Sequence, residues 1–208
     1  MPDDRPLMVG LTGSIGMGKT ETARMFKRLG IPVYDADAEV AQLYDVGGAA
    51  VSLVEATFPG VTKDGRIDRE ALSRHVIGND AATRRLESIV YPLMGAARQR
   101  FLNEARSGAA DLVVFDVPRL FETGGHLNMD AIVVVSAPSH IQRERVLKRP
   151  GMTAEKFEYL LARQTPDEEK RAKAHFVVVT DKGLDHAFEQ VKMIVTELRR
   201  RRKAGLDA

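Results

Sequence analysis

Gly13-Ser14-Ile15-Gly16-Met17-Gly18-Lys19-Thr20 satisfies the pattern G-x-x-x-x-G-K-[ST] at every fixed position. Each fixed residue has a physical task. Gly13 and Gly18 let the backbone turn tightly and leave room for phosphate oxygens. The N–H groups of the loop, and those opening the next helix, then point at an anion. Lys19 reaches β- and γ-phosphates, and the Thr20 hydroxyl is a hard oxygen ligand suited to Mg²⁺. ATP and Mg²⁺ are the cofactors this stretch implies.

The flanking sequence supplies the required context. Leu7-Met8-Val9-Gly10-Leu11 is a short apolar run, fit for a strand buried on both faces. The pattern from Thr20 to Leu29 is helical, with Ala23, Met25, Phe26 and Leu29 as core positions. Gly30 can end that helix in a left-handed conformation. Strand, glycine loop and helix follow in the order a phosphate-binding loop demands.

Working outward, four further apolar runs each end at a polar residue. Ile31–Tyr34 ends at Asp35, Leu112–Phe115 at Asp116, Ala131–Val135 at Ser136 and Phe176–Val179 at Thr180. Most of the intervening sequence reads as helix. This predicts an α/β fold: a five-stranded parallel sheet with helices on both faces. In such sheets the ligand site lies at the carboxyl ends of the strands. Asp35, Asp37, Asp116 and the glycine loop are therefore expected on one edge.

Two segments stand apart from that core. Residues 38–105 hold no convincing buried strand. They read as helices over 38–44, 49–56, 69–75, 81–89 and 92–105, interrupted by the loop Lys63-Asp64-Gly65-Arg66. Residues 140–172 are helical and densely charged, with Pro150-Gly151 as a break. Beside a nucleotide site such a pair suggests a lid; a solvated amphipathic hairpin is the alternative. The expected organisation is a nucleotide-binding core of 1–37, 106–139 and 173–208, a helical insert at 38–105 and a lid at 140–172.

Composition excludes some classes of function. The 208 residues with 44% apolar content suffice for a real core, and a net charge of +2 gives no argument for nucleic acid. The absence of cysteine excludes disulfides, thiolate metal sites and cysteine nucleophiles. No apolar stretch approaches a membrane span, and residues 1–6 are polar. A cytoplasmic protein without nucleic-acid or membrane partners is expected; the sequence does not reveal its oligomeric state, with a monomer favoured. The run Arg199-Arg200-Arg201-Arg202-Lys203 ends a predicted helix, where cations suit the macrodipole.

Phosphoryl transfer needs positioning and charge neutralisation more than covalent chemistry. A kinase also needs a group to orient an acceptor hydroxyl. Asp37, just beyond the second strand, can accept the hydroxyl proton; it can equally cap a helix starting at Ala38, or one acid of the Asp35 and Asp37 pair caps while the other faces substrate. Asp116 has the strand-end position of an acid that helps hold Mg²⁺, or is a turn residue. Arg145 and Arg149 lie four apart, so they share a helix face. Their guanidinium groups can bridge phosphoryl oxygens, or remain surface charge.

Taken in order, these residues resemble the dephospho-CoA kinase family over nearly the whole chain. Val9-Gly10-Leu11-Thr12-Gly13 with Gly18-Lys19 looks like its opening strand and loop. Gly30 to Asp37 is similar to its G-x-x-x-x-D-A-D segment, and Asp64-Gly65 with Arg69 and Leu72 to D-G-x-x-x-R-x-x-L. Pro118, Leu120, Phe121 and Glu122 fit P-L-L-F-E. Gln142, Arg145 and Arg149 fit Q-x-x-R-x-x-x-R, and Gln164 with Ala174 to Val178 fits the closing region. The resemblance implies transfer of the ATP γ-phosphoryl group to the ribose 3′-hydroxyl of dephospho-CoA. It implies Asp37 as general base and Arg145 on the transferring phosphate. Thr12 would lie near the phosphates, with residues Ile15 to Thr20 wrapping them, and the helical insert would hold the acceptor.

The chain departs from the family pattern at a few places. Tyr91 precedes Pro92 where the family has His, Arg119 stands for Leu, and Asp181 for Asn before Gly183. Ser14 and Met17 replace Gly and Ser, where only the backbone is expected to matter. Rival readings are another small-molecule kinase with a nucleoside or nucleotide acceptor, and a nucleotide-dependent binding module.

Overall fold

The computed structural model describes residues 5–204. The outermost parts of the expected core segments, 1–4 and 205–208, lie outside the described residues. The chain opens with β1 (Leu7–Thr12), α1 (Lys19–Arg28), β2 (Val33–Asp35), α2 (Ala36–Tyr44) and α3 (Val51–Thr57). There follow β3 (Thr62–Lys63), β4 (Arg66–Ile67), α4 (Arg69–Val76), α5 (Asp80–Ser107) and β5 (Leu112–Asp116). The remainder is β6 (Ala131–Ser136), α6 (Ser139–Leu147), α7 (Ala154–Leu161), α8 (Asp167–Ala172), β7 (Phe176–Val179) and α9 (Leu184–Lys203). Two compact units result, one of residues 5–34 and 105–204, the other of Asp35–Glu104.

In the first unit, five strands lie in the order β2-β5-β1-β6-β7. β1 pairs in parallel with β5 (Leu7 opposite Leu112, Leu11 opposite Asp116) and with β6 (Val9 opposite Ala131). β6 pairs in parallel with β7. Every residue of β5 and β6 is buried, as central parallel strands require. Pleating sends Val9, Leu11, Val114, Val133 and Val135 into one core with Phe26, Met25, Val191, Val195 and Leu198 of α1 and α9. Ile132 and Val134 enter another with Leu120 and Phe121. The fully buried Phe26 anchors α1; its truncation to Ala would cost about 3–5 kcal/mol.

Helix ends follow local chemistry. α1 stops at Gly30, whose φ is 76°, and Ile31 N–H reaches back to Phe26 O at 3.2 Å, a left-handed cap. The arginines at the end of α9 are engaged within the protein. Arg199 pairs with Asp111, and Arg200 and Arg201 with Glu197. Arg202 donates to the carbonyls of Asp111 and Arg5.

The second unit has its own core of Leu43, Val54, Phe58, Val61, Ile67 and Leu72. It corrects two sequence expectations. The 63–66 loop is the tip of an antiparallel hairpin, β3 with β4. Asp64 and Gly65 take φ of 51° and 76°, the two positive angles that a two-residue hairpin turn needs and that Asp-Gly favours. The two helices expected at 81–89 and 92–105 are a single helix, α5, with Pro92 inside it. Proline removes one helix hydrogen bond and crowds the preceding turn. Here Leu86 and Ile89 before it, and Leu93 and Met94 after it, pack against the same core. That shared burial outweighs the proline penalty.

Candidate active site

β1 delivers the chain to the carboxyl edge of the sheet, where the glycine loop turns it into α1. The N-cap of α1 is Gly18, which supplies no side-chain cap. The N–H groups of the first helical turn therefore have no partner within the helix, and the positive end of the helix dipole faces outward with them. Ser14 Oγ is buried in the loop without a hydrogen-bond partner. An orphan donor and a row of open N–H groups fit a phosphate ligand.

Lys19 and Asp116 form an ion pair, with side-chain exposures of 16% and 6%. The β1–β5 register, with Leu11 opposite Asp116, brings that carboxylate beside the loop. Thr12, fully buried, donates its hydroxyl to Pro118 O at 3.2 Å. Thr20 is exposed on the first turn of α1. Mg²⁺ keeps several waters and takes one or two protein oxygens beside those of phosphate. Thr20 fits that demand directly; Asp116 fits it while also neutralising Lys19.

The loop is tied to segments far along the chain. Ile15 N–H donates to Gln164 Oε1 at 3.0 Å, and Ile15 O accepts from Gln142 Nε2 at 2.8 Å. Gly16 has φ 81°, and a Cβ there would lie 2.4 Å from Val146 Cγ2, so only glycine allows α6 this close. Met17 corrects the expectation that its side chain is immaterial. It is 2% exposed, and its Sδ accepts from Ala137 N–H at 3.1 Å. The thioether fills the gap behind the loop and takes up a backbone donor.

Arg145 donates to Thr180 Oγ1 at 2.9 Å and to Thr180 O at 2.7 Å. Thr180 Oγ1 in turn donates to Met17 O at 2.7 Å. Arg149 does not share a helix face with Arg145. α6 ends at Leu147, and Arg149 is exposed in the turn that follows, since a residue before proline disfavours helix.

In the second unit, Asp35 caps α2 by accepting from Ala38 N–H at 2.9 Å. α2 thus begins at Ala36: of the two acids it is Asp35 that caps, and the alternative of Asp37 capping a helix from Ala38 does not hold. Asp37 lies in the first turn with its carboxylate exposed. Among the departures, Tyr91 donates its hydroxyl to Glu87 at 2.9 Å, and Arg119 and Asp181 are exposed.

Sequence reading missed a buried polar group beside the strand ends. Lys170, fully buried, lies 3.1 Å from Glu122, which also accepts from Thr165 N–H at 2.8 Å. Ser136 Oγ donates to Asp167 Oδ2 at 2.6 Å. Burial pushes the Glu122 carboxyl up, but the Thr165 N–H and Lys170 outweigh it and hold the group below the usual range. The exposed-looking run Glu168-Glu169-Lys170-Arg171 conceals this lysine. Thr180 carried a signal of the same kind as Asp116, a polar residue ending an apolar run.

A parallel sheet that feeds a glycine loop into an open helix N-terminus, with a paired lysine and carboxylate alongside, defines a phosphate-loop kinase fold. The family model described as Dephospho-CoA kinase matches residues 7–186. The chain belongs to the dephospho-CoA kinase family. It is 51% identical over 189 residues to the protein of that name from Rhodopseudomonas palustris (strain HaA2), covering 91% of this chain and 94% of that one. Identity to the Nitrobacter winogradskyi protein of the same name is 53%, with the same coverage. Among solved structures, TT1252 from Thermus thermophilus is similar with a TM-score of 0.80 and 31% identity, covering 93% of this chain and 98% of that one. The dephospho-CoA kinase from Campylobacter jejuni shares the fold, with a TM-score of 0.62 at 20% identity over 91% and 96% of the two chains.

Proposed function

We propose that this chain transfers the γ-phosphoryl group of ATP to the ribose 3′-hydroxyl of dephospho-CoA, giving coenzyme A and ADP. The observation that carries the reading is the continuous family match over residues 7–186, which takes in the phosphate loop, Asp37 and Arg145 together.

In this reading the loop from Gly13 to Thr20 holds the triphosphate through backbone N–H groups, with Thr12 beneath it. Lys19 offsets charge on the β- and γ-phosphates. Asp37 takes the proton as the 3′ oxygen forms its bond to phosphorus and the bond to the bridging oxygen of ADP breaks. Arg145, supplied from α6, offsets charge on the transferring group, with Arg149 a further phosphate contact. Thr20 and Asp116 would hold Mg²⁺, whose chemistry is to neutralise β- and γ-phosphate oxygens. Residues 38–105 hold the acceptor, and 140–172 cover the nucleotide.

The test is ATP consumption with dephospho-CoA against a panel of nucleosides and nucleotides. Turnover is expected with dephospho-CoA. Turnover confined to a nucleoside or nucleotide would overturn the reading.

A further inference from the structure

The phosphate loop is held from outside as well as from within. Its internal bond runs from Met17 N–H to Ser14 O at 3.1 Å. Both backbone groups of Ile15, between those two residues, are committed to side chains from elsewhere: the N–H to Gln164, the carbonyl to Gln142. Gln142 is 4% exposed on α6, and Gln164 lies just beyond α7, so the two ends of the α6–α7 segment meet at one loop residue. The next residue, Gly16, lies flush against α6. A Cβ there would meet Val146 Cγ2 at 2.4 Å and Gln142 O at 3.1 Å.

An amide is suited to both tasks, because it offers an acceptor and a donor without adding charge next to a polyanion. A carboxylate at 164 would still accept from Ile15 N–H. A carboxylate at 142 would set an acceptor against a carbonyl.

We propose that Gln142 and Gln164 are positioning residues for ATP, clamping the peptide groups on either side of Ile15 so that the neighbouring loop N–H groups are already aimed at the phosphates. Neither touches the reacting atoms. They act through the loop by preorganisation, which saves the ordering cost when ligand binds. Gln142 lies one turn before Arg145, so the same helix position sets both loop and guanidinium. This rests on the chain being an ATP-dependent kinase. Wild-type protein that bound no ATP would fail that reading before any variant was compared.

The test is the Kd for Mg·ATP, the KM for dephospho-CoA and the Tm of wild type, Gln142→Leu, Gln164→Leu and the double variant. Each single variant is expected to weaken ATP binding about tenfold, leave the KM for dephospho-CoA within about twofold, and keep Tm within about 3 °C. The double variant is expected to fall well short of a hundredfold loss, because both side chains hold one residue. Unchanged ATP affinity in both single variants would overturn the proposal. So would equal loss of both substrates together with a lowered Tm, which marks a structural role only. Should the leucine variants fail to fold, Gln142→Glu and Gln164→Glu carry the same added charge and differ in whether the hydrogen bond survives. Gln142→Glu is then expected to bind ATP about tenfold more weakly than Gln164→Glu; equal affinities would overturn the proposal.

Discussion

The guanidinium of Arg145 grips Thr180 at two points, the hydroxyl at 2.9 Å and the carbonyl at 2.7 Å. The same hydroxyl donates to Met17 O inside the phosphate loop. One threonine at the carboxyl end of β7 therefore joins the loop to the arginine that is proposed to act on the transferring phosphate.

If that arginine works in the transition state, Arg145→Ala lowers kcat by about 10³-fold or more. Thr180→Val removes the hydroxyl link but keeps the carbonyl contact, so its loss in kcat is smaller, about tenfold. Steady-state kinetics separate the two. A wild-type rate in Arg145→Ala would reduce the guanidinium to a structural tie.

Asp37 carries the proton in the proposed reaction, while Asp35 is occupied as the cap of α2. Asp37→Asn should lower kcat by about 10²–10⁴-fold and leave the Kd for ATP unchanged. Equal turnover of variant and wild type would remove Asp37 as base.

Two variants separate an observed task of Asp116 from a proposed one. Asp116 neutralises the half-hidden Lys19, and it is proposed to help hold Mg²⁺. Asp116→Ala leaves Lys19 without its carboxylate and is expected to cost about 3 kcal/mol of stability, read from urea unfolding. Asp116→Asn is expected to raise the Mg²⁺ concentration for half-maximal rate. If only stability changes, Asp116 is the anchor of Lys19 and no metal ligand.

Acid stability follows from carboxyl groups held below their ordinary range. For Glu122 burial acts upward, and the Thr165 N–H and Lys170 act downward and prevail. For Asp130 burial is likewise overcome by Arg5 and the Met8 N–H. A depressed folded pKa means the stabilisation is fully present above the unfolded value, about 4, and is lost as pH falls through the folded value. Tm is therefore expected to be level from pH 7 to about 5 and to fall below about 4. Glu122→Gln should lower Tm at pH 7 and make the acid fall shallower. An unchanged acid slope would contradict the assignment.

The sheet was legible because its strands are apolar runs that stop at polar residues, and burial on both faces leaves no alternation to confuse them. The loop was legible because every fixed residue of its pattern has a task. What held the loop was not. Gln142, Gln164 and Thr180 meet residues 15–17 from more than a hundred positions away, and no local pattern reports such a contact. Lys170 looked like surface charge because its neighbours are charged, and only tertiary burial with Glu122 reveals otherwise. The continuity of α5 through Pro92 was not legible either, because it depends on Leu86, Ile89, Leu93 and Met94 packing on one core from both sides of the proline. The basic run at 199–203 does end a helix, as its sequence suggests; the ties of Arg199 and Arg202 to Asp111 are what the sequence does not report.

The identity of the acceptor atom decides the function. The most direct measurement is to incubate the protein with Mg·ATP labelled in the γ-phosphate and dephospho-CoA, then locate the label in the product. Coenzyme A labelled at the ribose 3′-phosphate is expected, with ADP formed in equal amount. Label on another position, or ADP without labelled coenzyme A, would contradict the proposed function.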